Sequence, residues 1–298
     1  MAPDNWSATM TFDTFLETAW NDHADRPQEV ADRLAASLHI VQIPEHIPPF
    51  ARLLTHVFGE HLGQWHRGID LLEALRRLPA FDAGAAVTGA LTRSSATLRY
   101  ASGDSAAVEA LSVEDRVSAL ATAASAFTGR NELGRALAAY SEAVRFANTG
   151  LPSNSPAVRA LAIGGNNLAA ALEEKQQRGA AETKGMIAAA ESALKHWKLA
   201  GTWLEEERAE YRLARSLLQA GEPGTAIRSA ERCIQVCKLN NAPAFEQFFG
   251  YAVLGLAQRA AGDVGSFEVS RKHALHQFEK VPREERHWCA SDRKELGD

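Results

Sequence analysis

The chain has 298 residues, 46% of them hydrophobic and 23% charged, with a formal net charge of -5. That is enough apolar material for a packed core and too much for a disordered chain, and the acidic balance excludes a global basic field that would hold nucleic acid nonspecifically. Three cysteines argue against a disulfide scaffold and fit a reducing, cytoplasmic setting, and no apolar run reaches the roughly 18 residues of a membrane span.

Residues 1–10 read as a disordered tail, polar and without the basic-then-apolar order of a signal peptide. Phe12, Phe15, Leu16, Ala19 and Trp20 then recur at one helical face. Pro27 opens a second helix carrying Val30, Leu34, Leu38 and Val41. Pro44, Pro48 and Pro49 predict a break, after which Phe50, Leu53, Leu54, Val57 and Phe58 restore the helical period. A helix over 84–101 is stopped by Gly103. From Val117 the pattern sharpens, with Ala136, Tyr140 and Ala143 as a small-large-small stripe. Further helices are predicted at 156–177, 181–200, 203–220, 224–239, 243–261 and 264–280, punctuated by Gly201, Gly221, Pro223, Pro243 and Gly262. No alternating β-branched run of useful length occurs, so no strand is expected.

One spacing recurs. Leu213, Ala214, Gly221, Ala226, Ala230 and Cys233 are matched 41 residues later by Leu254, Gly255, Gly262, Phe267, Arg271 and Ala274. Gly63, Gly68, Leu72 and Leu75 repeat its 5-4-3 portion as a weak early copy. A fixed period of this size means stacked helical hairpins, in which neighbours bury the face that one hairpin cannot bury alone.

The run from Leu213 to Ile234 resembles the tetratricopeptide (TPR) repeat, and Tyr251, Leu254, Gly255, Gly262 and Ala274 fit the same pattern. Asn166 to Ala169 with Ala190, Ala193 and Leu194 looks like a third copy, and Ala124, Phe127, Ala136, Tyr140 and Ala143 like a fourth. The Asn166-Asn167-Leu168-Ala169 run and the long period are similar to kinesin-light-chain-type repeats. The resemblance implies an all-α solenoid of antiparallel hairpins in a right-handed superhelix. Its expected organisation is a helical region at 11–112 with degenerate repeats, a repeat array at 113–281, and a polar tail or capping helix at 282–298. Phe267 and Arg271 depart from the family's small residue and aromatic, which points to a capping helix after the last copy.

In such arrays the first helix of each hairpin lines a concave groove, and carboxylate-clamp members hold a peptide's terminal carboxylate there. The resemblance places Asn167 at the clamp asparagine of the middle repeat, and Arg208 and Arg212 at the two basic positions of the next. Ala121 and Ser125 stand at the remaining two and cannot serve. From the residues themselves, Arg208, Arg212 and Arg215 lie at i, i+4 and i+7 and offer guanidinium forks for an anion. The alternative is that they pair with Glu205, Glu207 and Glu210 on a solvated surface. Both readings stay open.

Other groups carry less. His56, His61 and His66 are spaced by five, which on an α-helix sends them about 140° apart around the axis and away from a shared ligand site. His273, His276, His287 and Cys289 lack paired metal-ligand spacing, and Cys233 takes a small crossing position and reads as a core thiol. The expected function is a scaffold or adaptor that holds a partner protein or peptide, acidic or with a free C-terminal carboxylate, around Asn167, Arg208, Arg212 and Arg215. A ligand- or peptide-responsive regulator is the alternative. An enzyme with its site in the N-terminal region, where six of the ten histidines lie, is a third. Nucleic acid and membrane are not expected partners, and a homodimer stays open. No catalytic residue, cofactor or metal is assigned.

Overall fold

The computed structural model describes residues 11–297, and the tail expected at 1–10 lies outside them. Among the described residues the chain is all-α, with fourteen α-helices and no strand. It divides into two compact units, one ending at Gly150 and the other beginning at Leu151. This division falls inside the stretch 113–281 expected as one array.

The first unit opens with α1 (Phe12–Asp22) and α2 (Pro27–Ala36). The Thr11 hydroxyl accepts the Thr14 N–H at the start of α1, satisfying one orphan donor. Next comes α3 (Ile47–His56), which contains Pro48 and Pro49 in its first turn. The expected break at these two prolines is therefore corrected: a first-turn residue has no helical acceptor for its N–H, so proline starts the helix at little cost. α4 (Trp65–Leu75) and α5 (Ala85–Ser102) close over α3, and Phe50, Phe58, Leu72, Leu75, Leu91 and Leu98 are fully buried between them. α6 (Val113–Gly129) and α7 (Leu133–Ala147) form a hairpin with Ala136, Tyr140 and Ala143 on its buried stripe.

The second unit holds three hairpins: α8 (Pro156–Glu174) with α9 (Ala180–Ala200), α10 (Trp203–Gln219) with α11 (Pro223–Leu239), and α12 (Ala244–Ala260) with α13 (Val264–Lys280). α10 touches both α8 and α12, so the three first helices lie side by side. Ala230 and Leu254 are both buried at the α11–α12 packing, as the repeat register requires.

Three of the four hairpins share one turn, whereas α8 ends at Lys175 in extended backbone. Gly221 (φ 77°), Gly262 (φ 83°) and Asn131 (φ 58°) each take the left-handed conformation after a first helix. The next N–H then bonds back five residues: Glu222 to Leu217, Asp263 to Gln258 and Glu132 to Phe127, at 2.9, 3.0 and 2.8 Å. This is the Schellman closure, and it explains why glycine or asparagine recurs there. Gly63 (φ 62°) holds the same place between α3 and α4, but the bond from Gln64 reaches Phe58, six residues back, at 2.8 Å. The extra residue is absorbed by a π-turn over Val57–His61, in which Leu62 N–H bonds to Val57 O at 3.1 Å.

After α13 the chain turns back through α14 (Ala290–Glu295). Val281, Cys289 and Leu296 are buried with Phe248, Leu256, Phe267 and Ala274. Arg271 donates to the Leu296 and Gly297 carbonyls, both at 3.2 Å. The two departures from the repeat pattern, Phe267 and Arg271, thus meet the closing segment.

Candidate partner-binding face and a histidine cluster

The stretch Leu204, Arg208, Tyr211, Arg212, Arg215 and Gln219 forms the outer stripe of α10, where first helices α8 and α12 flank it. The three arginines share this stripe as their spacing requires, and each takes a different carboxylate. Arg208 forks onto Glu246 of α12, with Nε 3.2 Å from Oε2. Arg212 reaches Glu173 of α8 at 2.5 Å, and the Ser216 hydroxyl donates to the same carboxylate at 2.6 Å. Arg215 forks onto Glu295 of α14 at 2.9 and 3.0 Å, while Tyr211 donates to Asp292 at 2.7 Å. These forks join α10 to three other helices.

The alternative pairing with Glu205, Glu207 and Glu210 on a solvated surface is corrected. Glu207 and Glu210 face inward and are buried. Glu210 accepts from Lys198 at 3.1 Å and Glu207 from the Cys233 thiol at 3.0 Å. The expected core thiol is found at Cys233, which has no exposure.

Exposure separates the arginines. The side chain of Arg208 is 56% exposed, that of Arg212 25% and that of Arg215 14%. Arg215 is covered by the C-terminal segment, and Arg208 remains accessible. Asn167 is exposed on α8, in line with Arg159 and Ile163. The face also carries aromatic rings that the sequence reading missed: Phe245 and Phe249 of α12, half-buried, with Phe249 edge-on to Tyr211 at 5.5 Å and to Phe245 at 5.1 Å. The i, i+4 pair Phe245 and Phe249 was the available signal.

Burial shapes the acids here. It raises Glu173 above the ordinary carboxylate range against the pull of Arg212 and Ser216, and raises Asp292 against Arg215 and Tyr211. Arg212 Nε is buried without a hydrogen-bond partner.

In the first unit, the expectation that His56 and His61 diverge is overturned. The π-turn between them holds more residues per turn than an α-helix, so positions five apart come onto one side. Their Nε2 atoms are 3.2 Å apart, and His23 from the end of α1 completes a group of three. Burial and the neighbouring imidazoles keep His61 below its ordinary pKa. His66 is exposed and outside the group. Near the C-terminus, His273 stacks on Tyr251 at 5.0 Å, His287 contacts Trp288, and Cys289 is buried, so these residues form no shared centre. Glu207, Cys233 and Cys237 form a second close group, fully buried.

No protein-family profile matches the chain, and no curated protein matches it. Among solved structures it is similar to a kinesin light chain-like protein of Podosopora anserina with nearly identical TPR-like repeats, at 14% identity and a TM-score of 0.51, over 78% of this chain and 95% of that one. A one-residue variant of the same protein matches at 14% identity and a TM-score of 0.49, over 77% and 96%. At this identity the first likeness speaks to the fold, and with the hairpin order above it makes this chain an all-α solenoid of TPR-like repeats.

Proposed function

We propose that this protein is a protein-interaction scaffold whose partner-binding face is the stripe formed by α8, α10 and α12. The partner we infer is a peptide segment rich in carboxylates or ending in one. The observation that carries this reading is Arg208, a guanidinium left 56% exposed beside the half-buried rings of Phe245 and Phe249. A carboxylate can share that fork with Glu246, while apolar side chains next to it cover the rings. Asn167 on α8 supplies a further amide. Arg212 holds Glu173 of α8 against α10, and Arg215 serves as an anchor for the C-terminal segment.

The test is a fluorescence-anisotropy titration of peptides ending in Phe-Asp-Glu, with free and amidated C-termini. Arg208→Glu should weaken binding at least about tenfold, because a charge-assisted hydrogen bond contributes about 1.5–3 kcal/mol and 1.4 kcal/mol is one decade. Arg228, exposed on α11 and bonded only to its own helix, is the control. Equal loss from Arg208→Glu and Arg228→Glu would show general charge attraction and would defeat the assignment.

A further inference from the structure

His23, His56 and His61 stand at the corners of a near-equilateral triangle. Their ring centroids are 4.9, 5.0 and 4.8 Å apart. One nitrogen of each lies within 4.8 Å of the other two. A tetrahedral zinc ion with Zn–N bonds of about 2.0–2.1 Å holds its nitrogens roughly 3.3 Å apart and the ring centroids roughly 5 Å apart. The 3.2 Å between His56 Nε2 and His61 Nε2 is one such edge.

The surroundings set the rings for ligation. His23 Nδ1 is bonded to the Trp20 carbonyl, which can only accept, so this nitrogen carries the proton and Nε2 keeps its lone pair. His56 Nδ1 lies 3.1 Å from Glu60 Oε2, which leaves its Nε2 bare in the same way. A carboxylate or backbone carbonyl on the far nitrogen is the usual outer partner of a metal-bound histidine. In the metal-free chain the Nε2–H of His61 can donate to the bare Nε2 of His56, and a cation bound by both nitrogens takes the place of that proton.

Packing and a hydrogen bond hold the frame around the triangle. The Trp20 ring packs against His23 and His56, at 5.1 and 5.3 Å. Arg130 donates to the His61 carbonyl at 3.3 Å and fixes the end of the π-turn. Gly129 leaves the space that Glu60 fills, since a Cβ there would strike the Glu60 side chain.

We propose that His23, His56 and His61 bind one divalent transition-metal ion, zinc, through their Nε2 atoms, with Glu60 as the outer partner of His56. Three neutral imidazoles suit zinc over the oxygen-seeking magnesium and calcium. All three side chains are half-buried, so the group is within reach of an ion from solvent. The site is independent of the peptide face and of the scaffold reading.

The test uses the full chain, free of any tag, stripped with a chelator and titrated with Co(II), then with Zn(II). The expected result is one Co(II) per chain with a strong tetrahedral visible spectrum, no thiolate charge-transfer band, and displacement by one Zn(II). His56→Ala and His61→Ala should abolish this binding, and His66→Ala should keep it. Glu60→Gln should keep one site and weaken it about ten- to a hundredfold. Circular dichroism checks each variant. If either α3-side histidine variant fails to fold, His23→Ala, on a half-buried turn after α1, carries the same expectation. Absence of stoichiometric binding in the parent protein would overturn the proposal. So would binding kept by the three histidine variants, or binding lost instead in Cys233→Ser, which would put the ion at Glu207, Cys233 and Cys237.

Discussion

The Cys233 thiol of α11 donates to Glu207 Oε1 of α10 at 3.0 Å, in a pocket where Glu207 is 1% exposed and its second oxygen has no partner. Burial pushes the Glu207 carboxyl up to about 8, and the Glu246 carboxylate beside it adds to the rise. A carboxyl raised this far enters the fold with its proton on.

Stability should therefore fall as pH rises between the ordinary value of 4.5 and about 8. In that window the folded chain holds a proton that the unfolded chain has lost, so each pH unit removes at most about 1.4 kcal/mol. His61 and His196, held low by burial, act in the opposite sense, adding stability as pH rises towards 6.5. Glu173, Glu210 and Asp292, also raised by burial, act in the same sense as Glu207, whose rise is the largest of the four. Urea melts should show the parent losing stability between about pH 6.5 and 8 and Glu207→Gln losing clearly less.

Ala230 has no exposure at the crossing where Ile234, Val253 and Leu254 meet. Overpacking such a contact costs about 1–3 kcal/mol. Ala230→Trp should lower the melting temperature, and Arg228→Trp, two residues away on the exposed side, should not. Equal melting of Ala230→Trp and the parent would mean a wrong register.

The shared turn gives a second stability test. Gly221→Val and Gly262→Val force a β-branched residue into positive φ, at about 1–3 kcal/mol each. Gly224, in the first turn of α11 with open space around its missing Cβ, is the contrast. Gly224→Ala should be neutral or stabilising by up to about 1 kcal/mol. Thermal melts of the three variants decide this.

Leu296 is 1% exposed against the last hairpin although it lies near the chain end. Leu296→Ala should cost about 2–5 kcal/mol in chemical denaturation, the range for an emptied core site. A change below about 0.5 kcal/mol would mean that the closing segment does not pack on α12 and α13 in solution.

The hairpins were legible because their signals are local. The glycines and the small crossing residues recur with the period, and the helix expected at 264–280 is found over Val264–Lys280. Pro48 and Pro49 misled because proline reads as a break unless its place in the first turn is known. The histidines misled because the arithmetic of a five-residue spacing assumes 3.6 residues per turn, and one extra residue before Gly63 makes the π-turn that annuls it. The arginine stripe was legible from spacing, but its carboxylates were not. Glu246, Glu173 and Glu295 lie 38, 39 and 80 residues from their arginines, whereas Glu205, Glu207 and Glu210 stood close in sequence and turned elsewhere.

The most direct test of the peptide face is hydrogen–deuterium exchange with and without a saturating acidic peptide. Binding at the proposed face should slow exchange in α8, α10 and α12 around Asn167, Arg208 and Phe249, and leave α9, α11 and α13 unchanged. Protection confined to the second helices of the hairpins, or to the first unit, would contradict the account.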